Sequence, residues 1–128
     1  TLHLELDGLR MSFLRTETSF LFDGTRYRGL TVADPRDIAV MKVIAIGGRG
    51  SRKDFVDLFF YLRNLGTLDQ VLSLVHERFE TADFNTYHLL KSLVYFEDAE
   101  QEPMPNMILP ISWDSVKELL VAEVRRLS

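Results

Sequence analysis

The sequence contains no cysteine, which excludes disulfides, thiol chemistry and zinc–thiolate sites and suits a reducing cytosol. No apolar run approaches the ~20 residues that cross a bilayer. The first residues, Thr1-Leu2-His3-Leu4-Glu5-Leu6-Asp7, have neither the basic start nor the apolar stretch of a secretion signal. A cytoplasmic chain without a membrane partner is therefore expected. Repeats, linkers and low-complexity stretches are lacking as well. What remains is an ordinary globular mix, 46% hydrophobic and 27% charged, which excludes the disordered and collagen-like classes. A chain of 128 residues buries roughly two thirds of its unfolded surface, enough for a core without covalent staples.

The net charge of −4 conceals an uneven distribution. Residues 1–53 carry nine Lys or Arg against six Asp or Glu, whereas residues 54–128 carry six against thirteen. General nucleic-acid coating wants a broad positive face, which this balance does not supply. A confined anion site, such as one for a nucleotide phosphate, stays open. So does plain uneven decoration of the surface.

The chain changes character near residue 34. Before it, Leu2, Leu4 and Leu6 alternate with polar residues, the period of a half-buried strand. Asp7-Gly8 suits a hairpin turn and residues 9–14 suit the returning strand. A second hairpin is expected from residues 19–22 and 27–32 around Asp23-Gly24. Beyond it, Asp34-Pro35 opens a helix expected to stop at Gly47-Gly48, and Ser51 caps another over 52–64. Thr67-Leu68-Asp69-Gln70 is a capping box for a helix to about residue 79. Residues 86–96 suit a fourth helix, 97–110 a loop, and Ser112 caps a last helix through Leu127. Its apolar positions Val116, Leu119, Leu120, Val124 and Leu127 should face the core. The expected class is α+β: a small antiparallel hairpin portion (1–33) followed by a helical bundle (34–128) in one compact unit.

The chemistry concentrates between residues 36 and 61. Lys42 is the one charge beyond the first turn of its helix, and its helical neighbours Ile38, Ala39, Ala45 and Ile46 are all apolar. An unpaired buried ammonium is costly, so the side chain must either snorkel to water or meet an anion. Asp54 and Asp57 lie three residues apart on one face of the next helix, with Tyr61 a turn further along. The glycine-rich turn between the helices makes an ammonium–carboxylate meeting easy. With the basic residues Arg49, Arg52 and Lys53 beside it, the arrangement suits a triphosphate: Lys42 neutralises phosphate charge, and one aspartate accepts a proton from an attacking hydroxyl. Each piece also has a structural reading. Asp54 completes a capping box with Ser51, Asp57 suits an ion pair, and the basic run suits a solvated loop. The glycines form neither a Walker loop nor a dinucleotide fingerprint.

Other residues point less clearly to chemistry. His3, His76 and His88 have no metal-site spacing and read as surface or capping histidines. Glu5-x-Asp7 could hold magnesium, although its alternation with leucines favours a solvated strand face. Trp113 reads as core or as a hydrophobic staple, and the Phe59-Phe60-Tyr61 run reads as aromatic packing.

Residues 37–58 (DIAVMKVIAIGGRGSRKDFVDL) resemble the signature of the AbiEii/AbiGii-type nucleotidyltransferases, toxin components of bacterial abortive-infection and toxin–antitoxin systems. Residues 8–14 (GLRMSFL) are similar to the family's preceding strand, and residues 93–100 and 112–117 to its C-terminal region. The resemblance implies a polymerase-β-like fold with a helical C-terminal portion. It also implies transfer of a nucleoside monophosphate from a triphosphate to a protein, RNA or small-molecule acceptor, with magnesium and a cognate antitoxin as partner. It places the family's triphosphate lysine on Lys42 and its following acid on Asp54, with Asp57 beside it; either acid could serve as base. The family's Gly-Gly-Thr/Ser start and metal-binding carboxylate strand have no match in residues 1–35. The chain thus resembles the C-terminal part, and alone it is expected not to transfer nucleotides because the two-metal clamp would be missing. A rival expectation is a non-catalytic interaction module, either an antitoxin-docking piece or a degenerate relative.

Overall fold

A computed structural model describes residues 2–6, 9–13, 20–79, 85–107 and 110–128, the first two segments as backbone. Strands β1 (Leu2–Leu6), β2 (Leu9–Phe13), β3 (Thr25–Tyr27) and β4 (Leu30–Val32) precede helices α1 (Pro35–Arg49), α2 (Arg52–Asn64), α3 (Leu68–Arg78), α4 (Thr86–Ser92), α5 (Glu97–Glu100) and α6 (Trp113–Leu127). This is an α+β order. Among the described residues the strands form two separate antiparallel pairs, β1 with β2 and β3 with β4. Leu6 pairs with Leu9 and Leu2 with Phe13. Asp7, Gly8, Leu14 and Ser19, which carried parts of the strand expectations, lie outside the described residues.

The second hairpin sits further along the chain than expected. Its turn is Arg28-Gly29, both at positive φ (49° and 79°), the left-handed pair that matches the twist of a two-residue hairpin. Gly24 also has positive φ, but it serves a close approach: a Cβ there would fall 2.3 Å from the Val32 carbonyl oxygen.

Asp34 caps α1 by accepting from the Arg36 backbone N–H at 2.9 Å, and Pro35 follows at the first helical position. The helix then runs through Gly47-Gly48 instead of ending there. Gly47 marks helix contact, since a Cβ on it would stand 3.0 Å from the Leu89 side chain of α4. Helix α1 packs against α2, α3 and α4, so its buried face, Ala39, Val40, Val43 and Ile46, is central to the core. Helices α2 and α3 open with the expected capping boxes, Ser51 with Asp54 and Thr67 with Gln70.

The expected fourth helix breaks in two. After Ser92, three-residue bonds from Val94 N–H to the Lys91 carbonyl and from Tyr95 N–H to the Ser92 carbonyl tighten the chain. The bend lets Phe96 meet Phe55 and Trp113 edge-to-face at 5.2 and 5.8 Å, and α5 replaces the start of the expected loop. In α6, Trp113, Val116, Leu120 and Val124 are buried, while Leu119 and Leu127 are partly buried against the same core.

One tie between the hairpin portion and the helices is charged. Asp37, fully buried in the first turn of α1, accepts from the backbone N–H groups of Leu21 and Phe22, each at 3.0 Å. Its Oδ1 lies 3.9 Å from the Arg78 guanidinium at the end of α3, and Arg78 stands over the ring of Phe20. Removing the Asp37 carboxylate takes the acceptor from two backbone N–H groups and a buried negative charge from beside Arg78. Asp37→Ala is therefore expected to lower the unfolding free energy by about 3 to 5 kcal/mol in urea titrations. A loss below about 1 kcal/mol, the scale of a surface ion pair, would contradict this role.

Candidate functional site

The site is built where the C-terminal half of α1 meets the start of α2. The Ser51 cap sends α2 back along α1, so the first two turns of α2 face Lys42. Lys42 Nζ lies 3.1 Å from Asp54 Oδ1 and 2.9 Å from Asp57 Oδ2. The lysine side chain is 22% exposed, Asp54 19% and Asp57 41%. Both expected partners therefore hold the ammonium together. The surrounding apolar stripe is only half covered: Ala39 and Ile46 are buried, Ile38 and Ala45 exposed.

The two aspartates differ in what else they do. Asp54 Oδ2 accepts from the Ser51 backbone N–H at 3.3 Å and from its hydroxyl at 2.9 Å, so one carboxylate closes the helix end and pairs with Lys42. The capping reading and the ion-pair reading hold at once. Asp57 is the more exposed and carries no capping duty among the described residues.

The basic residues expected beside them divide. Arg52 is committed to structure: its Nε donates to the Ala99 carbonyl at 2.9 Å and its Nη2 to the Glu100 carbonyl at 3.1 Å, which ties off the C-terminus of α5. Its guanidinium also stands 4.6 Å over the Trp113 ring. Arg49 is exposed and borders a groove of about 300 Å³ between the end of α1 and α4. Lys53 is exposed and lines a separate cavity with Asp57. Tyr61, expected on the aspartate face, is buried and lines a third cavity with Phe22 and Arg36; burial raises its pKa. His76 and His88 are exposed and bonded to Thr86 Oγ1 and the Gly47 carbonyl, as surface or capping histidines should be. Among the described residues no three acidic or histidine side chains converge as a metal site.

Sequence reasoning missed the Asp37–Arg78 pair, though signals were present. Asp34 already caps α1, which leaves Asp37 without that duty, and Arg78 continues the buried stripe of Val71 and Val75 on α3.

No family model and no solved structure matches the sequence. An uncharacterized protein of Aquifex aeolicus (strain VF5) is 38% identical to it over 128 residues, 98% of this chain and 60% of the relative. The chain thus spans about three fifths of the curated relative it matches. Among the described residues no helix is long and apolar enough to cross a membrane.

Burial alone would lower the Lys42 pKa, but the hydrogen bonds and charges of Asp57 and then Asp54 outweigh it and raise it above the usual 10.5. A raised folded-state value stabilises fully below the unfolded pKa and is lost as pH rises through the folded one. Urea midpoints of the wild type should therefore fall more steeply than those of Lys42→Met as pH rises above about 10.5. Parallel profiles would show that the ion triad contributes nothing.

Proposed function

We propose that this chain is the C-terminal part of a toxin-type nucleotidyltransferase related to the AbiEii/AbiGii family, and that Lys42 contacts the triphosphate of its nucleotide. The observation that carries the reading is the Lys42 ammonium held by Asp54 and Asp57 across two helices. The resemblance of residues 37–58 supplies the reaction, and the geometry supplies a cation with two acids at reach of one substrate. In that reaction the acceptor oxygen forms a bond to the α-phosphorus, the bond to the β-phosphate oxygen breaks, and pyrophosphate leaves. The acceptor proton passes to a carboxylate.

Asp57 is the better placed base, because its carboxylate is the more exposed and Asp54 is tied to Ser51. Lys42 then moves from ion-pair partner to phosphate partner, a shift its half-covered position permits. Lys53, which lines a cavity with Asp57, supplies further positive charge; Arg49 borders the separate groove by α4, and Arg52 serves by holding α5. The magnesium that the resemblance implies does not fit these two aspartates, since both already face an ammonium and no third donor converges among the described residues. The chemistry assigned to this chain therefore runs through Lys42 and the acids, and the 128 residues alone are expected to bind nucleotide without transferring it. The acceptor, whether RNA or protein, and the cognate antitoxin belong to the same proposal.

Calorimetry with GTP and CTP tests the reading. The wild-type chain is expected to bind at least one of them, and Lys42→Met to bind it at least about tenfold more weakly, a loss near 1.4 kcal/mol. Equal binding by both proteins, or binding by neither, removes the proposal. If the two proteins bind alike and Lys42→Met melts at a higher temperature, the charge is a dispensable buried ion. The interaction-module reading then stands, with the exposed Tyr27, Leu30 and Val32 of the β3–β4 hairpin as its docking face.

A further inference from the structure

Asp57 belongs to two features at once. Its Oδ2 pairs with Lys42, and the same residue lines a cavity of about 320 Å³ between α2 and the segment that precedes α6. This volume lies at the small end of the range for small-molecule sites, roughly 300–1,000 Å³. Phe60 and Met107 form apolar walls with Pro105, while Lys53 and Asn106 stand at the polar edge.

The wall chemistry suits a flat heterocycle. The Phe60 ring is fixed edge-to-face against Phe59, with centroids 5.3 Å apart and planes at 78°, so an aromatic surface is in place before a ligand arrives. Met107 adds a soft, adaptable wall. Asn106 carries a donor and an acceptor on one amide, the pattern that reads the edge of a base. Lys53 adds a positive charge to the lining that Asp57 shares with the Lys42 pair.

We infer that this cavity is the base subsite of the nucleotide whose phosphates Lys42 holds, with Phe60 and Met107 as its stacking walls and Asn106 as its base-reading side chain. The inference rests on the nucleotide-binding reading above and adds where the base lies and what selects it. Asn106 is exposed, so its replacement leaves the core intact. The aromatic wall favours a base over bare phosphate, and the Asn106 amide discriminates between bases, neither of which the phosphate contacts can do because phosphates are common to all nucleotides.

The test compares four nucleoside triphosphates with inorganic tripolyphosphate in calorimetry on wild type, Asn106→Ala, Phe60→Leu and Lys42→Met. The wild type is expected to bind one nucleotide at least about tenfold more tightly than tripolyphosphate. Asn106→Ala and Phe60→Leu should each erase most of that preference and leave tripolyphosphate binding unchanged. Lys42→Met should weaken both ligands alike. If every nucleotide binds no better than tripolyphosphate, or if the preference survives both cavity substitutions, the base subsite is overturned while phosphate binding by Lys42 stands. If neither ligand binds the wild type, the nucleotide reading falls and the subsite falls with it.

Discussion

An ammonium held between two carboxylates joins the central helix α1 to the N-terminal turns of α2. Its position, neither sealed nor free, decides what it can do. A sealed triad would lock the three side chains together, because separating charges in a dry interior costs several kcal/mol. A fully exposed one would be worth little and would exchange freely with solvent ions. At 22% exposure the Lys42 side chain keeps a strong preference for negative partners while a ligand can still reach it.

The contrast lies at the other end of α1. There Asp37 is completely buried, holds the backbone of Leu21 and Phe22, and faces Arg78. That pair is a fixed joint. Helix α1 therefore carries one charge committed to architecture and one poised at the surface, separated by five residues. The Arg52 guanidinium shows the same division within the basic run: chemistry that would suit phosphate is spent on the carbonyls that end α5. Of the cations around residue 50, Arg49 and Lys53 are the exposed ones, and each borders a cavity.

Local signals in the sequence make much of this legible. Asp34-Pro35, Ser51-x-x-Asp54, Thr67-x-x-Gln70 and Ser112 each open a helix where capping chemistry places one, because a cap acts within four residues and leaves its mark there. The Lys42–Asp54–Asp57 meeting was legible because a short turn leaves two helices little choice but to face each other. What was illegible depended on distant partners. Gly47-Gly48 reads as a stop, yet Gly47 is there for Leu89, more than forty residues away. Gly24 reads as a turn, yet it makes room for the Val32 carbonyl. The break after Ser92 follows from the place Phe96 takes between Phe55 and Trp113, and nothing local announces it. Arg52 looked like a phosphate ligand because its tie to α5 spans nearly fifty residues. The cavity beside Asp57 joins α2 to residues 105–107, so no single segment revealed it.

The central claim is that the Lys42 ammonium leaves its aspartates for a phosphate. Lysine side-chain nitrogen NMR observes that event directly, because each lysine gives its own ammonium signal. On addition of the preferred nucleoside triphosphate, the Lys42 signal should move with saturation while that of Lys117, paired with Glu100 at 2.7 Å, stays in place. Nucleotide that binds with the Lys42 signal unmoved would contradict the account.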